Sequence, residues 1–242
     1  MRIAGLESLD DRLLDGLDFC SAAYNALDAI RSDPHGISEL RLRRTRRAKK
    51  LLEEVLPLAA FIQGRYRPGC RLQIRWIGGN QSFDARVIYR GPLVDWKGIP
   101  KRQYLEVTTA VQQTEYLVRE RLDSEGGSFT AAGTRRDSRT KKIISVPVVY
   151  EHADQVAELA ALICNRVADK ASRDYPPATS LLVHCDLGVV VLEDEWEELV
   201  RAVRALLRIE VTRFQEVVLV HHANRLAIVA TRARKRGSAT TR

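Results

Sequence analysis

The sequence predicts an α/β protein, with a mixed central sheet flanked by helices and a helical N-terminal region ahead of it. Three observations predict this. Apolar residues recur at helical spacing up to about residue 62. Between Cys70 and Thr109 the period changes to two, as in half-buried strands. After that, short apolar runs alternate with amphipathic helical stretches, the pattern of a mixed sheet with helices packed on it. The chain of 242 residues, 45% hydrophobic and 29% charged, is long enough for one large domain with a helical extension.

Taken in order, Leu6, Leu9, Leu13, Leu14, Leu17 and Ala22 predict a helix over residues 4–31, ended by the Ser32-Asp33-Pro34-His35-Gly36 breaker. Ser38 and Glu39 start a second helix reaching about Ile62, with Leu51, Leu52, Val55, Leu56 and Leu58 as its apolar stripe and Pro57 as a kink or end point. Arg71–Ile77, Phe83–Tyr89 and Gln103–Thr109 read as three strands of an antiparallel meander, with Gly78-Gly79-Asn80 turning between the first two. A helix is expected over residues 110–123. Residues 124–138, rich in Gly, Ser, Thr and Arg, read as a mobile loop suited to meeting a substrate. An edge strand or extended connector is expected near residues 142–149, where Pro147 argues for an edge, and a long amphipathic helix over residues 151–173. The rest reads as a strand over residues 180–185, a helix over residues 193–208 and strands over residues 216–221 and 225–230 joined through His222-Ala223-Asn224. The expected organisation is a helical region over residues 1–64, an α/β core over residues 65–231 and a basic disordered tail over residues 232–242.

Charge narrows the class of partner. The formal net charge is +8, and residues 41–50 carry seven cations in ten positions. Such density favours phosphate backbones through counterion release, so Arg43, Arg44, Arg46, Arg47 and Lys50 are expected phosphate contacts, with Arg135 and Arg136 in the later loop. A solvated helix face is the plain alternative. No apolar run approaches the ~20 residues of a membrane helix, and the first residues lack the order of a secretory signal. Cys20, Cys70, Cys164 and Cys185 show no CxxC pairing, so reduced thiols in a cytoplasmic protein are the simplest reading.

Two carboxylates stand out in the meander. Asp84 opens the second strand and Glu106 lies in the third, and antiparallel pairing can bring such ends side by side. Two hard oxygen ligands a few ångströms apart suit Mg²⁺, with Mn²⁺ as a substitute, and the Val107 carbonyl can supply a third ligand. A bound ion of this kind polarises a phosphate and acidifies an attacking water. The plain alternative makes Asp84 a cap of the Gly78-Gly79-Asn80 turn and Glu106 a solvent-facing strand residue. His184-Cys185-Asp186 resembles a nucleophile cluster only as letters, because neighbouring strand residues point to opposite faces. His221-His222 reads as a turn pair, and Trp76, Trp96 and Trp196 are too scattered for a base-stacking platform.

An acid on a helix, a hairpin carrying Asp, then a strand carrying Glu before a helix resembles the PD-(D/E)XK nuclease superfamily. The matching positions are Asp84 and Glu106, with Glu54 (or Glu53) as the helical acid, over about residues 40–123. Gln112-Gln113-Thr114-Glu115-Tyr116 resembles a Q-x-x-x-Y pattern of some relatives. The resemblance implies a restriction-endonuclease-like core and Mg²⁺-dependent phosphodiester hydrolysis of nucleic acid, DNA first, with a homodimer allowed. It departs from the family at two places: Phe83 stands where a proline precedes the Asp, and Thr108 stands where the family has its lysine. Thr108, Gln112 and Gln113 are then the water-positioning candidates, while Lys141, Lys142 and Lys170 are conceivable replacement cations. The alternative is a nuclease-fold protein that has lost catalysis and binds nucleic acid or a protein partner.

Overall fold

The computed structural model describes residues 6–96, 99–187, 192–208, 213–221 and 225–232. Seven strands form one mixed sheet in the order β1-β2-β3-β4-β7-β8-β9. These are β1 (Leu13–Asp15), β2 (Arg71–Trp76), β3 (Ala85–Arg90), β4 (Arg102–Ala110), β7 (Thr179–Cys185), β8 (Glu216–His221) and β9 (Leu226–Thr231). The first four pair antiparallel, β4, β7 and β8 run parallel, and β9 returns antiparallel. The expected meander is therefore β2-β3-β4. Parallel neighbours need a crossover, and the two crossovers here contain α8 (His152–Ala171) and α9 (Glu193–Leu206). β7 is buried at every position, as its unbroken apolar run Leu181-Leu182-Val183 requires of a strand covered on both faces.

Two apolar layers flank the sheet. On one face α2 (Gly16–Arg31) and α5 (Leu56–Arg65) bury Phe19, Ile30, Leu58 and Phe61 against Leu72, Ile74, Val87, Leu105 and Val107. On the other, α8 and α9 bury Leu159, Ile163, Leu199 and Val203 against Leu181, Val183 and Leu219. The N-terminal segment thus shares its core with the meander.

Local chemistry redraws several expected boundaries. The single helix over residues 4–31 is instead α1 (Leu6–Leu9), β1 and α2. Asp11 takes a left-handed φ of 58°, and the Asp15 carboxylate accepts the Leu17 N–H at 2.9 Å, capping α2 at its start. Likewise the helix expected from Ser38 to Ile62 is broken. α3 (Gly36–Leu42) ends at Arg43, whose φ of 51° is left-handed, and Thr45 caps α4 (Arg46–Lys50) by accepting from Ala48 N–H at 3.2 Å. A π-helical segment, Leu51–Val55, then joins α4 to α5. Pro57 has no N–H to donate to the Glu53 carbonyl, so the i→i−4 ladder fails here and Leu56 N–H instead bonds the Leu51 carbonyl.

The β3–β4 connection contains α6 (Pro92–Trp96) rather than only loop. Before it Gly91, with φ 113°, lies where a Cβ would sit 2.5 Å from the Gly69 carbonyl oxygen. The helix expected at residue 110 begins later, as α7 (Glu115–Glu125), because β4 continues to Ala110. The expected mobile loop over residues 124–138 holds a 3₁₀ turn and β5 (Thr134–Arg136). β5 pairs with β6 (Ile143–Ser145) in a small second sheet, so the strand expected near residues 142–149 spans only three residues. The His222-Ala223-Asn224 turn and all of the basic tail beyond Arg232 lie outside the described residues.

Candidate active site

β3 and β4 bring the two acids together. Ala85 pairs with Leu105, which sets Asp84 opposite Glu106 just beyond the last paired residue of β3. Asp84 N–H donates to the Leu105 carbonyl at 2.9 Å, and its carboxylate Oδ2 accepts Val107 N–H at 2.7 Å. The side chain therefore continues the ladder where a backbone carbonyl would have stood. It does not cap the Gly78 turn, since Gly78 N–H donates to Asp10 instead. Glu106 is only 6% exposed, so the solvent-facing reading of this strand residue fails. Alternation along β4 sends Leu105 and Val107 to the α2–α5 core and Glu106 to the opposite face, beneath α8.

A cation reaches the acids from α8. Lys170, in the last turn of that helix, donates to Glu106 Oε1 at 2.5 Å, with its side chain 19% and the glutamate's 8% exposed. Of the three lysines that topology allowed, it is Lys170 that the structure brings to the carboxylates. Thr108 is half-buried on the same face of β4, two positions on. Gln112 and Gln113 stand elsewhere. Ala110 ends β4 four positions, about 13 Å of rise, beyond Glu106, and both glutamines follow it in the turn before α7. The length of β4 thus sets both glutamines further from the acids along the chain than a helix starting at residue 110 would.

Glu54 arrives from the opposite side on the π segment. Trp76, at the end of β2, donates its Nε1–H to Glu54 Oε2 at 3.1 Å. Lys50 Nζ lies 3.9 Å from the same oxygen and 5.5 Å from the centre of the Trp76 ring, and it also donates to the Gly78 carbonyl. Glu53 does not join this group; it accepts from Arg43 at 3.0 Å on another side of the segment.

The electrostatics are those of crowded acids. Burial, then the neighbouring Glu106 charge, push the Asp84 carboxyl up to about 6, against the Val107 N–H and the Lys170 and Lys50 ammoniums. Burial likewise raises Glu106, although Lys170 pulls it down, and burial followed by the Asp84 charge raises Glu54. The Tyr175 phenol is raised by burial and by the Glu106 charge beside it. Three acids and two lysines thus share one field at the β3–β4 ends.

The cations expected on phosphates divide. Arg43 is turned inward, its side chain 13% exposed between Glu53 and Asp186, so it is a structural ion-pair residue and not a free phosphate contact. Arg47 pairs with Glu7, and Lys50 faces the acids. Arg44 and Arg46 remain exposed, as does Arg135, while Arg136 pairs with Glu120 at 2.6 Å. The block reads as one run in sequence, but the breaks at Arg43 and Thr45 point its members in different directions.

Among the described residues no cluster of three or more His, Cys, Asp or Glu side chains is arranged to hold a metal ion by itself. The donors that the site does offer are Asp84, Glu106 and the Val107 carbonyl. That set fits Mg²⁺, which keeps several waters and is commonly held by one or two carboxylates plus substrate phosphate. No family model, curated protein or solved structure matches the chain.

Proposed function

We propose that this protein is a metal-dependent phosphodiesterase acting on nucleic acid, with DNA as the leading substrate and a divergent PD-(D/E)XK arrangement as its site. The observation that carries the reading is Lys170 on Glu106 beside Asp84, which supplies a cation that the sequence motif lacks. In this reading Asp84, Glu106 and the Val107 carbonyl hold Mg²⁺ or Mn²⁺, which polarises the phosphate and acidifies water when bound. Lys170 orients the attacking water and offsets charge developing on the phosphate, the role of a preorganised cation in a site shielded from solvent. Glu54 accepts a proton from that water or holds it through a hydrogen bond, since burial and the Asp84 charge raise its proton affinity above that of an ordinary carboxylate. Thr108 lies on the same face and lends a hydroxyl to the water network.

A second reading has one observation in its favour: Glu106 and Lys170 already satisfy one another, as a buried structural pair tying α8 to β4 would. The chain would then be a binding protein on a nuclease-like frame. One double substitution separates them. Lys170→Met is expected to reduce Mg²⁺-dependent cleavage by at least about a hundredfold, the usual scale for a lost electrostatic catalyst. Thr108→Lys added to Lys170→Met is expected to return part of that rate, because it places an ammonium on the same face two residues from Glu106. Recovery of folding stability without recovery of cleavage would favour the structural pair.

A further inference from the structure

The meander exposes a face that the expected basic block did not include. Alternation puts Arg71 and Arg75 of β2, Arg86 and Arg90 of β3, and Arg102 and Tyr104 of β4 on the side opposite the α2–α5 core. This is the side on which Asp84 and Glu106 lie. α8 packs on β4 and β7 there, and no described helix packs to a comparable extent on that side of β2 or β3. Arg71, Arg90 and Arg102 are exposed, and Arg75, Arg86 and Tyr104 are half-buried.

The register makes the arrangement unusual. Arg71 pairs directly with Arg90, and Arg75 with Arg86. Like charges directly opposite on neighbouring strands destabilise a sheet, and this sheet carries two such pairs on one open face. Among the described residues only part of this charge is answered. Arg75 pairs with Asp11 at 2.6 Å, and Arg90 donates to the neutral Gln73 amide at 2.9 Å. Arg71, Arg86 and Arg102 form no salt bridge among the described residues, and the Arg86 Nε–H is buried without a hydrogen-bond acceptor. Arg86 is two residues from Asp84, and Tyr104 two from Glu106, so the arginine face runs into the acids.

We propose that this face binds the backbone of single-stranded nucleic acid and leads it to the Asp84–Glu106–Lys170 site. The arginines neutralise successive phosphates, and Tyr104, whose ring packs 4.7 Å from that of Phe83, offers a stacking surface at the entrance. A single strand is preferred to a duplex because the major groove admits a helix or a two-stranded ribbon. Three adjacent strands at about 4.8 Å spacing, with arginines standing on them, are too broad to enter it. The cleavage endpoint of this path rests on the proposed function, but binding does not.

The experiment is therefore a binding measurement in EDTA. Fluorescence anisotropy would follow a short mixed-sequence single strand of DNA, and the matching duplex, over a range of salt. Wild type is expected to bind the single strand more tightly than the duplex. In Arg71→Ala/Arg90→Ala/Arg102→Ala the single-strand affinity is expected to fall about tenfold or more. The slope of log affinity against log salt is expected to shrink by about 2, at about 0.7 per lost phosphate contact. All three positions are exposed, so the fold is retained, and near-ultraviolet circular dichroism checks that it is. Asp84→Asn is expected to bind at least as tightly as wild type. An unchanged affinity and slope in the triple variant, or tighter binding of the duplex, would overturn the proposal. Loss of binding in the triple variant, with no cleavage by wild type in Mg²⁺, would keep the platform and remove the nuclease reading.

Discussion

Asp84 carries the most informative single charge in the molecule. Its carboxyl is raised to about 6 from an ordinary 3.8, so the folded chain binds more protons than the unfolded chain between those values. Stability contributed by the protonated form is present below about pH 4 and is lost as pH rises through about 6. Asp84→Asn mimics the neutral form and keeps an oxygen for the Val107 N–H. It is expected to stabilise the metal-free protein by about 2–3 kcal/mol at pH 8, with the gain vanishing near pH 4, as read by urea unfolding at the two pH values. A gain that is the same at both would show that charge is not its cause. Asp84 and Glu106 were legible in the sequence because strands with period two and a following helix framed them. Lys170 was legible only as one of three lysines, since nothing in a chain of 242 residues states which helical turn will lie over which strand.

Among the elements, the π segment decides which acid joins the site. One more residue per turn than an α-helix rotates the succeeding helix by about 100°, the step per residue of a 3.6-residue turn. Here Glu54 meets Trp76 while Glu53 meets Arg43. Pro57 signals an interruption in the sequence, but a kink, an end and a π turn leave the same mark in apolar periodicity. The breaks at Asp15 and Thr45 are hidden for a related reason: a leucine every three or four residues continues across a cap, and the capping side chain is the only local sign of it. The junction has its own prediction. Trp76→Phe removes the side-chain hydrogen bond from Trp76 to the half-buried Glu54 carboxylate and is expected to cost about 1–3 kcal/mol at pH 7. Unfolding measured at pH 4 should show a smaller loss, since a protonated Glu54 needs that donor less; a loss that is independent of pH would assign it to packing alone.

For the whole molecule, one sheet serves both its halves. The α2–α5 layer and the α8–α9 layer bury opposite faces, and the candidate site lies where β4, covered by α8, meets the face of β2 and β3 on which no described helix packs to a comparable extent. This explains why the α/β class and the β2-β3-β4 meander are readable from alternation, whereas the charged surface is not. The dense run over residues 41–50 stands out as a block, yet folding scatters it among Glu53, Asp186, Glu7 and Glu54. The arginines of β2 and β3 are separated by polar and apolar residues in sequence, and only the register sets them against one another. Under the proposed function this architecture hydrolyses phosphodiesters through Asp84, Glu106 and Lys170. The most direct test is cleavage of plasmid and of single-stranded DNA in Mg²⁺ or Mn²⁺ by wild type and by Glu106→Ala, with EDTA as the control. Wild-type cleavage that stops in EDTA and falls at least about a hundredfold in Glu106→Ala is the predicted result; equal cleavage by the two proteins, or none by wild type with either metal, would contradict it.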